Sequence, residues 1–131
     1  MQGYVIKILL GLLLATGLYG ALSVSYTTIT GTTPCPDVQG LPVCFVVTIG
    51  YVMMVASLFI LNFGWKKRIF LSGWLVVFLI AVTGTLLEVI NGNTCPQSAD
   101  GLPLCYVSLT FSILILVLNF VNQKIHCEKT G

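Results

Sequence analysis

Four long apolar runs leave this chain almost no way to fold in water. They lie at residues 8–26, 43–63, 69–90 and 104–121, each near the roughly 20 residues a helix needs to cross a hydrocarbon core of about 30 Å. Helices buried in a soluble bundle keep a polar stripe for solvent, whereas these runs are apolar on all sides. Composition agrees: 8% of the 131 residues are charged and the mean hydropathy is +1.00, against about 25% charge in a soluble domain. The expectation is an all-α integral membrane protein, a single domain over residues 1–131 with four transmembrane helices. Lys7 ahead of an apolar run resembles a secretory leader, but the run is long and lacks a small-residue cleavage site, so the first helix is expected to be retained.

Basic residues beside spanning helices stay on the cytoplasmic side. Lys7 precedes the first run, Lys66, Lys67 and Arg68 fill what reads as a tight turn between the second and third, and Lys124 and Lys129 follow the fourth. The loops 27–42 and 91–103 carry no Lys or Arg, only Asp37 and Asp100. Both termini are thus expected in the cytoplasm and both loops in the periplasm, a lumen or the extracellular space. Trp65 suits the inner interface, and Tyr26, Phe45 and Tyr106 suit the outer one.

The chain also repeats itself. Sliding it by 61 positions sets Lys7-Ile8-Leu9-Leu10 on Arg68-Ile69-Phe70-Leu71, Leu14 on Leu75 and Leu18 on Leu79. Ile29 and Gly31 fall on Ile90 and Gly92, and Gly40-Leu41-Pro42-Val43-Cys44-Phe45 falls on Gly101-Leu102-Pro103-Leu104-Cys105-Tyr106; only Cys35-Pro36 against Cys95-Pro96 is displaced by one. This reads as a duplicated helix hairpin, with repeats at 7–63 and 68–121. A deletion and an insertion within one loop would account for the displacement. Two hairpins entering the membrane in the same sense would be related by a pseudo-two-fold axis along the membrane normal.

In each loop the pattern is Cys-Pro, a short polar stretch, Gly-Leu-Pro, an apolar residue and Cys. Pro42 and Pro103 suit the first turn of the helices that follow, where a missing N–H has no intrahelical partner to lose. Cysteines on an oxidising face read most simply as disulfides, and the repeat favours Cys35 with Cys44 and Cys95 with Cys105 over the other two pairings. Closing loops of this size restricts the unfolded chain by roughly 2.5 to 3 kcal/mol each. Redox-active pairs and metal ligation are the alternatives. Against a metal, no Cys-x-x-Cys spacing occurs and the single histidine, His126, falls on the other side. Met53 and Met54 read as core filling before soft ligands. Cys127 is expected as a reduced thiol.

Glu88, near the outer end of the third run, is the one acid inside a span and so a possible functional acid. Gly17 and Ala21 on the first helix, and Ala81 and Thr85 on the third, are small-xxx-small pairs that predict a central contact between those helices. Asn62 and Asn119, each within Leu-Asn-Phe, are placed near the inner ends of the second and fourth.

Four helices, cytoplasmic termini and a cysteine pair in each outer loop resemble the membrane thiol oxidoreductases of the DsbB and vitamin K epoxide reductase type. The resemblance implies electron transfer from a partner's dithiol to a quinone, with Cys35 and Cys44 exchanging with the partner and Cys105 lying near the quinone. The chain departs from that family in lacking a Cys-x-x-Cys pair, whose lowered thiol pKa favours exchange, and in having no base on the outer side. No Ser/His/Asp set, phosphate loop, paired carboxylates or basic surface for nucleic acid is present, and the helices offer almost no polar lining for transport. The expectation by elimination is a non-catalytic accessory or structural subunit of a membrane complex. Its partners would be the bilayer and other membrane subunits, and it would carry no cofactor and no metal. A thiol–disulfide oxidoreductase is the alternative, and a small transporter or metal-handling protein a third.

Overall fold

The computed structural model describes all residues except Thr33, Pro34, Pro36, Thr94, Pro96 and Ala99, and only the backbone of Gln2, Val38, Phe63 and Thr130. The prolines of both Cys-Pro pairs therefore lie outside the described residues. Helix α1 runs over Gln2–Ile29, α2 over Val43–Phe59, α3 over Phe63–Asn91 and α4 over Leu104–Thr130. Between α1 and α2 two short strands, β1 (Asp37–Val38) and β2 (Leu41–Pro42), form an antiparallel hairpin.

Helices α1, α3 and α4 are long and apolar enough to cross a membrane; α2 is apolar but has 17 residues. The four near-equal spans expected from the sequence are thus three long helices and one shorter. The second apolar run does not continue to residue 63. Ile60 and Asn62 are extended (ψ 123° and 111°), and α3 starts at Phe63. Lys66, Lys67 and Arg68 consequently sit in the opening turns of α3 rather than in a turn between helices. Lys and Arg are good helix formers, so charge alone did not mark the break. Asn62 caps α3, its carbonyl accepting the Lys66 N–H at 2.9 Å.

Each helix packs on its predecessor and α4 closes on α1, giving a ring in which α1 and α3 stand diagonally opposite. The expected central contact of the first and third helices gives way to a close approach of α2 and α3. There Gly50 faces Gly73: a Cβ on Gly73 would lie 2.8 Å from the Gly50 carbonyl oxygen. Glycine inside a helix costs about 1 kcal/mol relative to Ala, a cost that backbone contact of this kind offsets. The core holds Leu10 and Leu14 of α1, Tyr51 and Met54 of α2, Phe70, Trp74 and Val77 of α3 and Ile115 of α4. Trp74 stacks on Phe78 at 4.8 Å and donates its indole N–H to the Ser112 carbonyl at 2.8 Å, tying α3 to α4. In an apolar surround an unmet N–H would cost several kcal/mol.

The outside of the bundle is apolar. Only 11% of the most hydrophobic stretch of α1, and the same share of α4, is buried within the chain, against 28% for α3. Leu12, Leu22, Leu79, Ile113 and Val117 point outward at half exposure or more. These are the helices of a membrane protein, with surfaces suited to hydrocarbon. The six bases gather at one end of the bundle, at the starts of α1 and α3 and the end of α4, and the cysteine pairs at the other. Met1, Tyr4 and Lys7 line one groove with Asn122, His126 and Lys129, so the start of α1 and the end of α4 lie side by side.

Candidate functional site: a disulfide-fastened end over an apolar cavity

Gln39 and Gly40, at the tip of the first hairpin, both have positive φ (54° and 82°). That is the two-residue type I′ turn whose twist matches the flanking strands, and glycine is the usual residue at its second position. Asp37 pairs with Pro42, which immediately precedes α2 with φ −67°. In the second loop Gln97 bridges to Pro103, the residue before α4. Its turn is one residue longer: Gly101 takes φ 77° and donates its N–H to Ser98 O at 2.8 Å. The prolines thus stand at the N-caps, one position ahead of the first helical turn where the sequence placed them.

Each hairpin carries one cysteine back over a helix start. Cys35 bonds to Cys44 and Cys95 to Cys105, with Cα atoms 6.4 and 6.1 Å apart. Cys44 and Cys105 occupy the second residue of α2 and α4, while Cys35 and Cys95 are buried. The Cys44 N–H donates to Cys35 Sγ at 3.2 Å. Gly84 of α3 underlies the second bridge; a Cβ there would lie 2.9 Å from Cys105 Sγ and 3.5 Å from Cys95 Sγ.

Glu88 acquires a role that its position in the sequence did not reveal. Its carboxylate accepts the Cys95 N–H at 2.8 Å and the Asn93 N–H at 3.2 Å, and its carbonyl accepts Gly92 N–H. The acid holds the chain as it leaves α3 and turns toward the second bridge. On the other hairpin, buried Ser25 of α1 meets the Thr48 hydroxyl of α2 at 2.9 Å, and Thr48 lies 2.9 Å from the Cys44 carbonyl and 3.3 Å from that of Ala21.

Beneath the bridges lies a cavity of about 360 Å³ lined by all four helices. Cys35, Cys44 and Cys105 form its roof, and Gly17 and Ala21 of α1 face Ala81 of α3 across it. The small residues expected to close helix on helix therefore border an open space; Gly17 also makes room for the Tyr51 ring, and the Thr85 hydroxyl donates within its own helix to Ala81 O. Tyr51, Ser108 and Thr16 supply polar side chains to an otherwise largely apolar lining. Tyr51, Ser108 and Gly84 were not singled out by the sequence. Glycines inside apolar helices were the available signal, since their helical cost asks for a close neighbour.

Among the described residues no group of three or more His, Cys, Asp or Glu is placed to hold a metal ion. Cys127 is an exposed free thiol near the end of α4. Fold and site together define a class: a small apolar helical bundle of the membrane, fastened at one end by two disulfides. Comparison with protein-family models, with curated proteins and with solved structures finds no match.

Proposed function

We propose that the chain is a non-catalytic subunit of a membrane assembly, spanning the bilayer four times with its basic end in the cytoplasm and its disulfides outside. One observation carries this: both bridges fasten hairpin lids onto helix ends with Cys35 and Cys95 turned inward (9% and 5% exposed). The inward sulfur of each bridge is thus a poor target for a partner's thiolate, whose attack requires access, and Cys44 and Cys105 are half-buried at the helix starts. Collection of all six bases at one end supports the orientation, and the broad apolar exterior offers faces for lipid and neighbouring subunits. Co-purification in mild detergent, followed by mass spectrometry of co-migrating chains, tests the reading; other membrane chains at fixed stoichiometry are expected, and a lone monomer or homodimer counts against it.

Duplication of one hairpin belongs to this proposal, with a register that differs from the simple slide of 61. The inward faces of the first helices correspond at 60: Leu10, Leu14, Gly17, Ala21 and Ser25 with Phe70, Trp74, Val77, Ala81 and Thr85. At 61, buried Leu10 and Leu14 would fall on exposed Leu71 and Leu75. Ser23 and Thr83, 60 apart, each donate to the carbonyl four residues back. In α2 and α4 the buried positions correspond at 61, Tyr51 with Ser112 and Met54 with Ile115. The step falls between the Asp37–Pro42 and Gln97–Pro103 bridges, where one turn is a residue longer. A single insertion in a hairpin turn thus suffices, in place of a compensated pair of changes.

A second reading, the thiol–disulfide oxidoreductase acting with a quinone, is favoured by the sulfurs of both bridges lining an apolar cavity. The reduction potentials of the pairs separate the two. Structural bridges should lie below about −300 mV, and quinone-dependent reoxidation would support the enzyme.

A further inference from the structure

We infer that the cavity beneath the disulfides holds a hydrocarbon chain of a membrane phospholipid, entering sideways between α1 and α4. The first bridge and Cys105 cover the cavity, with Val43 and Leu104 beside them, Cys35 buried and the others half-buried. The wall opens where Thr16, Tyr19 and Gly20 of α1 and Val107 of α4 line the cavity and are themselves exposed, in the middle of apolar helical surface. Whatever reaches this mouth in a bilayer is lipid tail. There is free space at Gly20, where even a Cβ would meet nothing within 4 Å.

Water is a poor occupant. It needs two to four polar partners, and apolar cavities of about 150 Å³ already stay dry and take up apolar guests. Ser108 stands beside Tyr51, a side chain only 3% exposed, and no fully buried side-chain N or O among the described residues lacks a partner. Left empty, 360 Å³ would deprive Val47, Tyr51, Ile80 and Phe111 of packing partners in a structure that otherwise approaches crystal density. An acyl chain restores those contacts without desolvating a polar group.

The inference rests on the membrane reading, and one experiment distinguishes failure of each. The full chain is reconstituted in nanodiscs of phosphatidylcholine containing a small share of the same lipid with a diazirine partway along one acyl chain, irradiated, digested and mapped. Labelling of outward residues such as Ile113 and Val117 reports insertion in lipid by itself; its absence would sink the membrane reading. Labelling of Val47, Tyr51 or Ser108 is the result expected for an occupied cavity. Gly20→Leu, built on a Cβ that meets nothing within 4 Å and bulky enough to obstruct the mouth, and Val47→Phe, which adds volume inside, should each abolish the inner label and leave the outer one unchanged. Outer label without inner label in the unaltered protein overturns the inference. So does inner label that persists in both variants while their disulfides and elution match the parent.

Discussion

Glu88 shows how much one side chain can settle at the edge of a membrane. Hydrogen bonds to a charged acceptor are about twice as strong as neutral ones, and here two backbone N–H groups share one carboxylate just before Cys95. Replacing it by Gln presents an amide donor to one of those N–H groups. Glu88→Gln should lower stability by about 1 to 3 kcal/mol, and Cys95–Cys105 should be reduced faster by dithiothreitol while Cys35–Cys44 keeps its rate. Peptide mapping after timed thiol trapping reads both. Gly84 makes a steric counterpart. Gly84→Ala places a methyl 2.9 Å from Cys105 Sγ, and overpacking of this kind costs about 1 to 3 kcal/mol. A lower melting temperature in detergent is expected, with a fraction of the second pair left as free thiols. Neither role was legible in the sequence, where Glu88 read as an isolated acid: the partners of both residues are backbone groups and sulfurs placed by the following loop.

Among the elements, the contact of α2 with α3 carries the most specific packing. Gly73→Ala sets a methyl against the Gly50 carbonyl oxygen at 2.8 Å and must spread the helices, at a cost of about 1 to 3 kcal/mol. By comparison, Gly11→Ala, where a Cβ meets nothing within 4 Å, should leave stability unchanged or slightly higher; thermal unfolding of the pair checks the difference. Helices α1, α3 and α4 were legible because uninterrupted apolar length is a lipid-scale signal. The end of α2 was not, since Leu61 and Phe63 prolong the apolar run through an extended link, and the three bases beyond it look like a loop while propagating a helix. Two-residue strands, one of them containing a proline, leave no alternation to detect, so the first hairpin was not legible in the sequence. The register of the proposed repeat was blurred in α1 for a related reason: aliphatic residues match one another at several offsets, and burial is what favours 60 over 61.

For the whole molecule, the orientation proposed from charge has a direct test. With an impermeant maleimide applied to intact cells after reduction, Cys35, Cys44, Cys95 and Cys105 should label from outside, and exposed Cys127 only once the membrane is permeabilised. The reverse pattern would overturn the proposed sidedness. The favoured disulfide pairings were readable from the like-patterned loops and the helical architecture from apolar length; the ring order was not, because small-residue pairs name helices able to approach closely without saying which do.

The shortness of α2 bears on the membrane itself. Seventeen residues rise only about 25 Å, and if α2 crosses the bilayer as proposed, a thicker one must draw its nearby leaflet inward to meet it, at a fraction of a kcal/mol per ångström. Phe59, Leu61 and Trp65 stand exposed around its end, where a dimpled headgroup layer would meet them. The bilayer would therefore be thinned locally at α2, beside the 27 to 29 residues of α1, α3 and α4.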